Sequence, residues 1–99
     1  MFPEGLLQKA VEMRRLAQCF PVETILKATV WLEEKHREAP HWKTAIVIAL
    51  QYLVLAVRPE SQSDPDMANE YFRQAVRWRE EARRLFNEQK LLTAYRGQN

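Results

Sequence analysis

The stretch Trp42-Lys43-Thr44-Ala45-Ile46-Val47-Ile48-Ala49-Leu50-Gln51-Tyr52-Leu53-Val54-Leu55-Ala56-Val57 decides the fold of this 99-residue chain. From Ala45 to Val57 it holds one polar residue, Gln51. A helix that is apolar on every side must be enclosed by protein or by lipid. This run is well short of the roughly 20 residues that cross a bilayer. We therefore predict a central core helix over residues 42–57, wrapped by its neighbours.

The length and composition of the chain favour one all-helical domain over residues 1–99. A chain of this size supports a single core, and its 46% apolar content is typical of a globular fold. Only two glycines occur, whereas β-hairpins and phosphate-binding loops both rely on glycine. The fold class predicted is therefore all-α.

Prolines divide the chain into four predicted helices, over about 4–18, 21–37, 42–57 and 65–90, with residue 95 as the alternative end of the last. The prolines fall where apolar periodicity stops: Pro3, Pro21, Pro40, Pro59 and Pro65. Residues 58–64 form the longest predicted polar loop, and Ser63 or Asp64 is expected to cap the last helix. Short connections favour antiparallel neighbours, so the sequence predicts a four-helix bundle or a compact helical array and leaves both open.

The second and fourth predicted helices each carry one apolar face with tryptophan at its edge. The buried stripe of the second is Val22, Ile25, Leu26, Thr29 and Leu32. On the fourth, one stripe, whose aromatics we assign mainly to the core, is formed by Ala68, Tyr71, Phe72, Ala75, Trp78, Ala82, Leu85, Phe86 and Gln89. Trp31 and Trp78 lie at the stripe edges, a position favoured at protein interfaces. We predict both as interface residues if they are exposed. An uncovered strip of the central helix is a third candidate partner surface.

Basic residues concentrate near the C-terminus, although the net charge of the chain is only +2. Arg73, Arg77 and Arg84 lie within about 40° of one another on the polar face of the fourth helix. Arg73 and Arg77 repel each other unless an anion lies over them, so we predict contact with nucleic-acid phosphates. The alternative is a solvated face with internal ion pairs, such as Arg77–Glu81 and Glu80–Arg84.

Two smaller basic patches are further nucleic-acid candidates. The first is Arg14 and Arg15, with Lys9 on the same predicted helix. The second is Lys43 in the sequence His41-Trp42-Lys43, where the indole can either stack on a base or close the core. For Trp42 the core position is the preferred interpretation.

The sequence argues against catalysis, and we predict no enzyme activity, cofactor or metal. It lacks a glycine-rich phosphate loop, a GxSxG, an HExxH and a CxxC pair. A small helical enzyme would require His36, His41 and Cys19 to converge. A zinc site from these residues lacks the usual ligand spacings. Glu33–His36 and Glu38–His41 do have the Glu-x-x-His spacing of a di-iron site, but Pro40 interrupts the second pair and such a site needs further carboxylates.

Cysteine usage and the N-terminus predict a cytoplasmic protein. Cys19 is the single cysteine, so an internal disulfide cannot form, and we expect it to be a small buried side chain at a helix end. The first residues lack the basic-then-apolar pattern of a signal peptide.

The general profile resembles the small helical subunits of CRISPR effector complexes. Its length, helical pattern, lack of catalytic motifs and Arg73/Arg77/Arg84 face are the matching features, and none is specific to that family. The resemblance implies binding of nucleic-acid backbone without sequence readout, and no cofactor.

The predicted function is a non-catalytic subunit of a multi-protein nucleoprotein complex. Its partners would be other protein subunits, single-stranded DNA or RNA, and further copies of itself, with no membrane. The alternative is a protein–protein interaction module (an adaptor, antitoxin or assembly chaperone) that docks through Trp31, Trp78 or the central helix and makes no nucleic-acid contact.

Overall fold

The computed structural model describes residues 19–97, with side chains described from 19 to 93. Every regular element in that part of the chain is a helix: α1 Val22–Glu38, α2 Trp42–Val57, α3 Pro59–Gln62 and α4 Pro65–Gly97. The all-α prediction is confirmed for these residues. The first predicted helix, over about 4–18, lies outside them, as do Arg14 and Arg15, so the four-helix arrangement stays a prediction.

Helix α1 begins at a proline and ends before one. Pro21 is extended, and its carbonyl oxygen accepts hydrogen bonds from the Thr24 and Ile25 N–H groups at 3.0 and 3.2 Å. Proline has no backbone N–H, and none is needed at the start of a helix, where the first N–H groups have no partner within the helix. Ala39 is the last residue before Pro40, which disfavours helical backbone in the residue that precedes it.

Helix α2 has the bounds predicted for it and packs against both long neighbours. Its contact with α4 is extensive, and its contact with α1 is smaller. His41 caps the start, because its Nδ1 accepts a hydrogen bond from the Lys43 N–H at 3.0 Å. Its core residues divide into two clusters. One joins Trp42, Ala45 and Ile46 to Ala82 of α4; the other joins Val54 and Leu55 to Ile25 of α1.

The segment 58–64, predicted to be a loop, contains the short helix α3. Arg58 is extended and Pro59 takes the first helical position. Ser61 is buried, and the Gln62 amide donates a 2.7 Å hydrogen bond to the Ala56 carbonyl at the end of α2. This turn therefore closes the C-terminus of α2 by satisfying one of its free carbonyl groups.

Helix α4 is the longest element, with 33 residues. Asp64 caps it, because one carboxylate oxygen accepts a 3.3 Å hydrogen bond from the Met67 N–H. At about 1.5 Å per residue, α4 is roughly twice as long as the 16-residue α2. The C-terminal part of α4 therefore extends beyond the Trp42 end of α2. Over the described residues, no helix combines the length and apolar content needed to cross a membrane.

Candidate docking surface

The three arginines predicted to share a face, Arg73, Arg77 and Arg84, are all exposed on α4. Arg84 is held between two carboxylates, and its guanidinium donates hydrogen bonds to Glu81 and, at 2.6 Å, to Glu88. The hydrogen bond and charge of Glu81, followed by the charge of Glu88, raise the pKa of Arg84. Its positive charge is thus already compensated within the helix.

Other arginines of α4 pair with carboxylates one turn earlier. Arg73 lies 3.5 Å from Glu70, and Arg83 lies 3.8 Å from Glu80. These are not the Arg77–Glu81 and Glu80–Arg84 pairs named from the sequence. The face is therefore a mosaic of both charges, as the alternative interpretation expected, with different partners from those predicted.

Arg77 and Arg79 differ from Arg73, Arg83 and Arg84, each of which pairs with a carboxylate. Within the described part of the chain, no carboxylate lies at ion-pair distance from either guanidinium, and both residues are exposed. The charge of Arg77 does act on Tyr52 of α2, whose pKa it lowers against stronger opposing effects. Arg77 therefore lies near the Tyr52 hydroxyl, on the side of α4 closer to α2, without an ion pair to a carboxylate of the described residues.

A hydrogen bond between helices lies beside Arg77. The Tyr52 hydroxyl of α2 donates to the Glu33 carboxylate of α1, and the Tyr52 ring lies 6.2 Å from that of Tyr71 on α4. Burial, followed by the hydrogen bond to Glu33 and its negative charge, raises the pKa of Tyr52 far above its ordinary value of 10.0. This hydrogen bond joins α1 to α2 close to Arg77 of α4.

Replacing Tyr52 by phenylalanine should lower the free energy of unfolding by about 1 kcal/mol near neutral pH, because a hydrogen bond to a partly water-exposed carboxylate is lost. In the parent chain, the folded state keeps the phenolic proton after the unfolded state has lost it. The contribution of Tyr52 to stability is therefore complete below about pH 10 and declines above it. Urea titrations between pH 8 and 11 should show a shallower alkaline decline in the variant. Parallel pH profiles for the two proteins would contradict this coupling.

An exposed apolar pair lies among the arginines of α4. Phe72 is 50% exposed and Val76, one turn later, is 55% exposed. With Asn69, Arg73 and Arg77 they form a shallow, open depression on the surface of α4 alone, which we call the α4 groove. The sequence pattern assigned Phe72 to the core, and this was wrong, because Phe72 lies at the edge of the apolar stripe and faces away from α2. An exposed aromatic beside arginines is typical of interface composition.

The two edge tryptophans lie in different environments. Trp31 is 57% exposed on α1, with the Lys35 ammonium 5.6 Å from its ring centre. Trp78 is half-buried, packs against the cluster of Trp42 and meets His36 edge-on at 5.1 Å. Trp31 thus has the exposure that an interface residue needs, whereas Trp78 packs mainly against the core between α2 and α4 and touches α1 through His36.

The remaining candidates do not converge on a reaction centre in the described residues. His36 is buried, His41 caps α2, and Cys19 is exposed rather than buried as predicted. Among the residues described, no three His, Cys, Asp or Glu side chains are grouped closely enough to hold a metal ion. Lys43 is exposed, and its ammonium lies 5.7 Å from the ring centre of Trp42.

Comparison with known proteins found no match to a family model, a curated protein or a solved structure. The candidate surface is therefore judged by its own chemistry. That chemistry is an exposed apolar pair with uncompensated arginine charge beside it. Helical periodicity predicted that the arginines share a face of α4. It did not predict that Phe72 and Val76 are exposed, because their burial depends on how much of the α4 surface the neighbouring helix covers.

Proposed function

We propose that this chain is a non-catalytic helical subunit that docks a partner protein through the α4 groove. The observation that carries the proposal is the half-exposed pair Phe72 and Val76, which lies beside the pair Arg73 and Arg77 on α4. Apolar and aromatic side chains ringed by arginine are typical of the buried centre of protein interfaces. The proposal includes a four-helix bundle completed by residues 4–18 and a cytoplasmic location.

Contact with nucleic-acid backbone is the second candidate, as in the small subunits of CRISPR effector complexes. Arg77 and Arg79 support it, because their charges are not neutralised by carboxylates of the described residues, and Phe72 offers a stacking surface. The charge along the helix favours the protein partner. Glu70, Glu80, Glu81 and Glu88 follow the same helix and compensate Arg73, Arg83 and Arg84. A phosphate backbone that ran along α4 would meet these carboxylates.

The test is co-purification from the cells that produce the chain, comparing the parent with a Phe72→Ala/Val76→Ala variant. Both replaced side chains are half exposed and alanine favours helix, so the variant should fold normally. We expect its yield of specifically bound partner to fall at least tenfold, because truncating a central anchor typically costs about 2 kcal/mol or more, and about 1.4 kcal/mol is tenfold in affinity. Lys27→Ala on the exposed face of α1 is the matched control and should retain the partner.

The salt dependence of binding separates the two candidates. Docking through Phe72 and Val76 should keep measurable affinity at 0.5 M salt even as its arginine contacts weaken, whereas binding through phosphate contacts alone should be lost. Labelled single-stranded DNA and RNA should bind the purified chain weakly, with no difference in an Arg73→Gln/Arg77→Gln/Arg84→Gln variant. Tight, strongly salt-dependent oligonucleotide binding that this triple variant loses would make nucleic-acid contact the function. An unchanged partner yield in the Phe72→Ala/Val76→Ala variant would remove the α4 groove from consideration.

A further inference from the structure

We propose that the occupant of the α4 groove is an acidic amphipathic helix of the partner protein, lying along α4. This inference rests on the proposed function and adds the conformation and charge of the partner segment. It follows from the spacing of the exposed apolar pair, from the sign of the charge beside it and from the poor fit of a second copy or a phosphate backbone.

The spacing of the exposed apolar pair suits a helix. Asn69 to Arg77 spans about 12 Å along the helix axis, and Phe72 and Val76 are about 6 Å apart at 1.5 Å per residue. Two turns of a partner helix cover that distance with apolar residues spaced three and four apart. The described part of the chain contains no strand, so it offers no sheet edge to which an extended peptide could add.

The charge around the groove suits an acidic partner. Arg73 and Arg77 line it, and Arg79 lies on the adjacent turn. Arg73 pairs with Glu70 at 3.5 Å, but the two side chains are 78% and 56% exposed. An ion pair so open to water contributes little, and a carboxylate of the partner can replace Glu70. Carboxylates flanking the apolar stripe of the partner would therefore meet three guanidinium groups.

A second copy of this chain fits the groove poorly. If the two α4 grooves packed face to face, the arginines of one copy would lie against those of the other, and like charges across an interface are unfavourable. A long phosphate backbone fits poorly for the opposite reason, since Glu70 and Glu80 bound the basic segment on either side. The basic segment between Glu70 and Glu80 is short, so the acidic residues on two turns of a partner helix can cover it.

A displayed library of 20-residue helical peptides, unbiased in charge, tests the inference. Peptides selected on the full chain should be amphipathic and rich in Asp and Glu beside the apolar stripe. Their affinity should fall at least tenfold on an Arg73→Glu/Arg77→Glu variant and should return when the acidic residues of the peptide are changed to lysine. Lys27→Glu is the control for a charge reversal elsewhere and should leave affinity unchanged. Circular dichroism verifies the fold of each variant.

Three results would overturn the inference. Selected peptides that need Phe72 and Val76 but are neutral would remove the acidic helix and leave docking at the groove intact. Peptides indifferent to both the apolar and the arginine variants would remove the docking function as well. An oligonucleotide that binds more tightly than any selected peptide, and loses binding in the Arg73→Glu/Arg77→Glu variant, would assign the groove to nucleic acid.

Discussion

Replacing Trp42 by alanine should lower the free energy of unfolding by about 3–5 kcal/mol, the usual cost of truncating a buried large aromatic. The Trp42 side chain is only 7% exposed, packs with Ala82 of α4 and meets the Phe86 ring edge-on at 5.1 Å. Natural domains are stable by about 5–15 kcal/mol in total, so the loss would be a large fraction of the whole. Urea denaturation followed by circular dichroism at 222 nm measures it.

The control for this variant is Trp31→Ala, which removes the same side chain from an exposed site. Trp31 contacts Lys35 on its own helix and is 57% exposed, so its removal should cost less than about 1 kcal/mol. Comparable losses in the two variants would contradict the assignment of Trp42 to the core. They would reopen the interpretation in which this indole is available to stack on a nucleic-acid base.

The main helices could be predicted because their signals are local. The apolar run of α2 is bracketed by His41 and Pro59, and its predicted bounds are those observed. Helix α3 was missed because a four-residue helix is too short to show a period. Its evidence is tertiary, namely the burial of Ser61 and the hydrogen bond from Gln62 to the end of α2.

The candidate surface was predictable in part, for a related reason. The angular position of Arg73, Arg77 and Arg84 follows from helix geometry alone. Which carboxylate each guanidinium selects depends on side-chain rotamers, because neighbours three and four residues away are both within reach. Contacts between helices carry no local signal, so the hydrogen bond between Glu33 and Tyr52, nineteen positions apart, could not be foreseen.

Replacing Leu55 by alanine should lower the free energy of unfolding by about 2–5 kcal/mol, through lost burial and the cavity left behind. Leu55 is completely buried in the cluster that joins α2 to Ile25 of α1, with Leu26 and Tyr71 packed against it. Thermal and urea denaturation should both report the loss. Hydrogen exchange should show the amides of α1 exchanging faster, because α1 contacts α2 over a smaller area than α4 does.

The matched control is Leu92→Ala, the same truncation in the C-terminal part of α4 that extends beyond α2. Leu92 is 60% exposed, so less than about 1 kcal/mol is expected, with exchange in α1 unchanged. If Leu55→Ala instead accelerated exchange in α1 and α4 equally, the two clusters would unfold as one unit. If α1 alone opened, its attachment would depend on the Ile25–Leu55 contact. The contact between α2 and α4 would then be the more stable part, and the α4 groove would stay formed while α1 detaches.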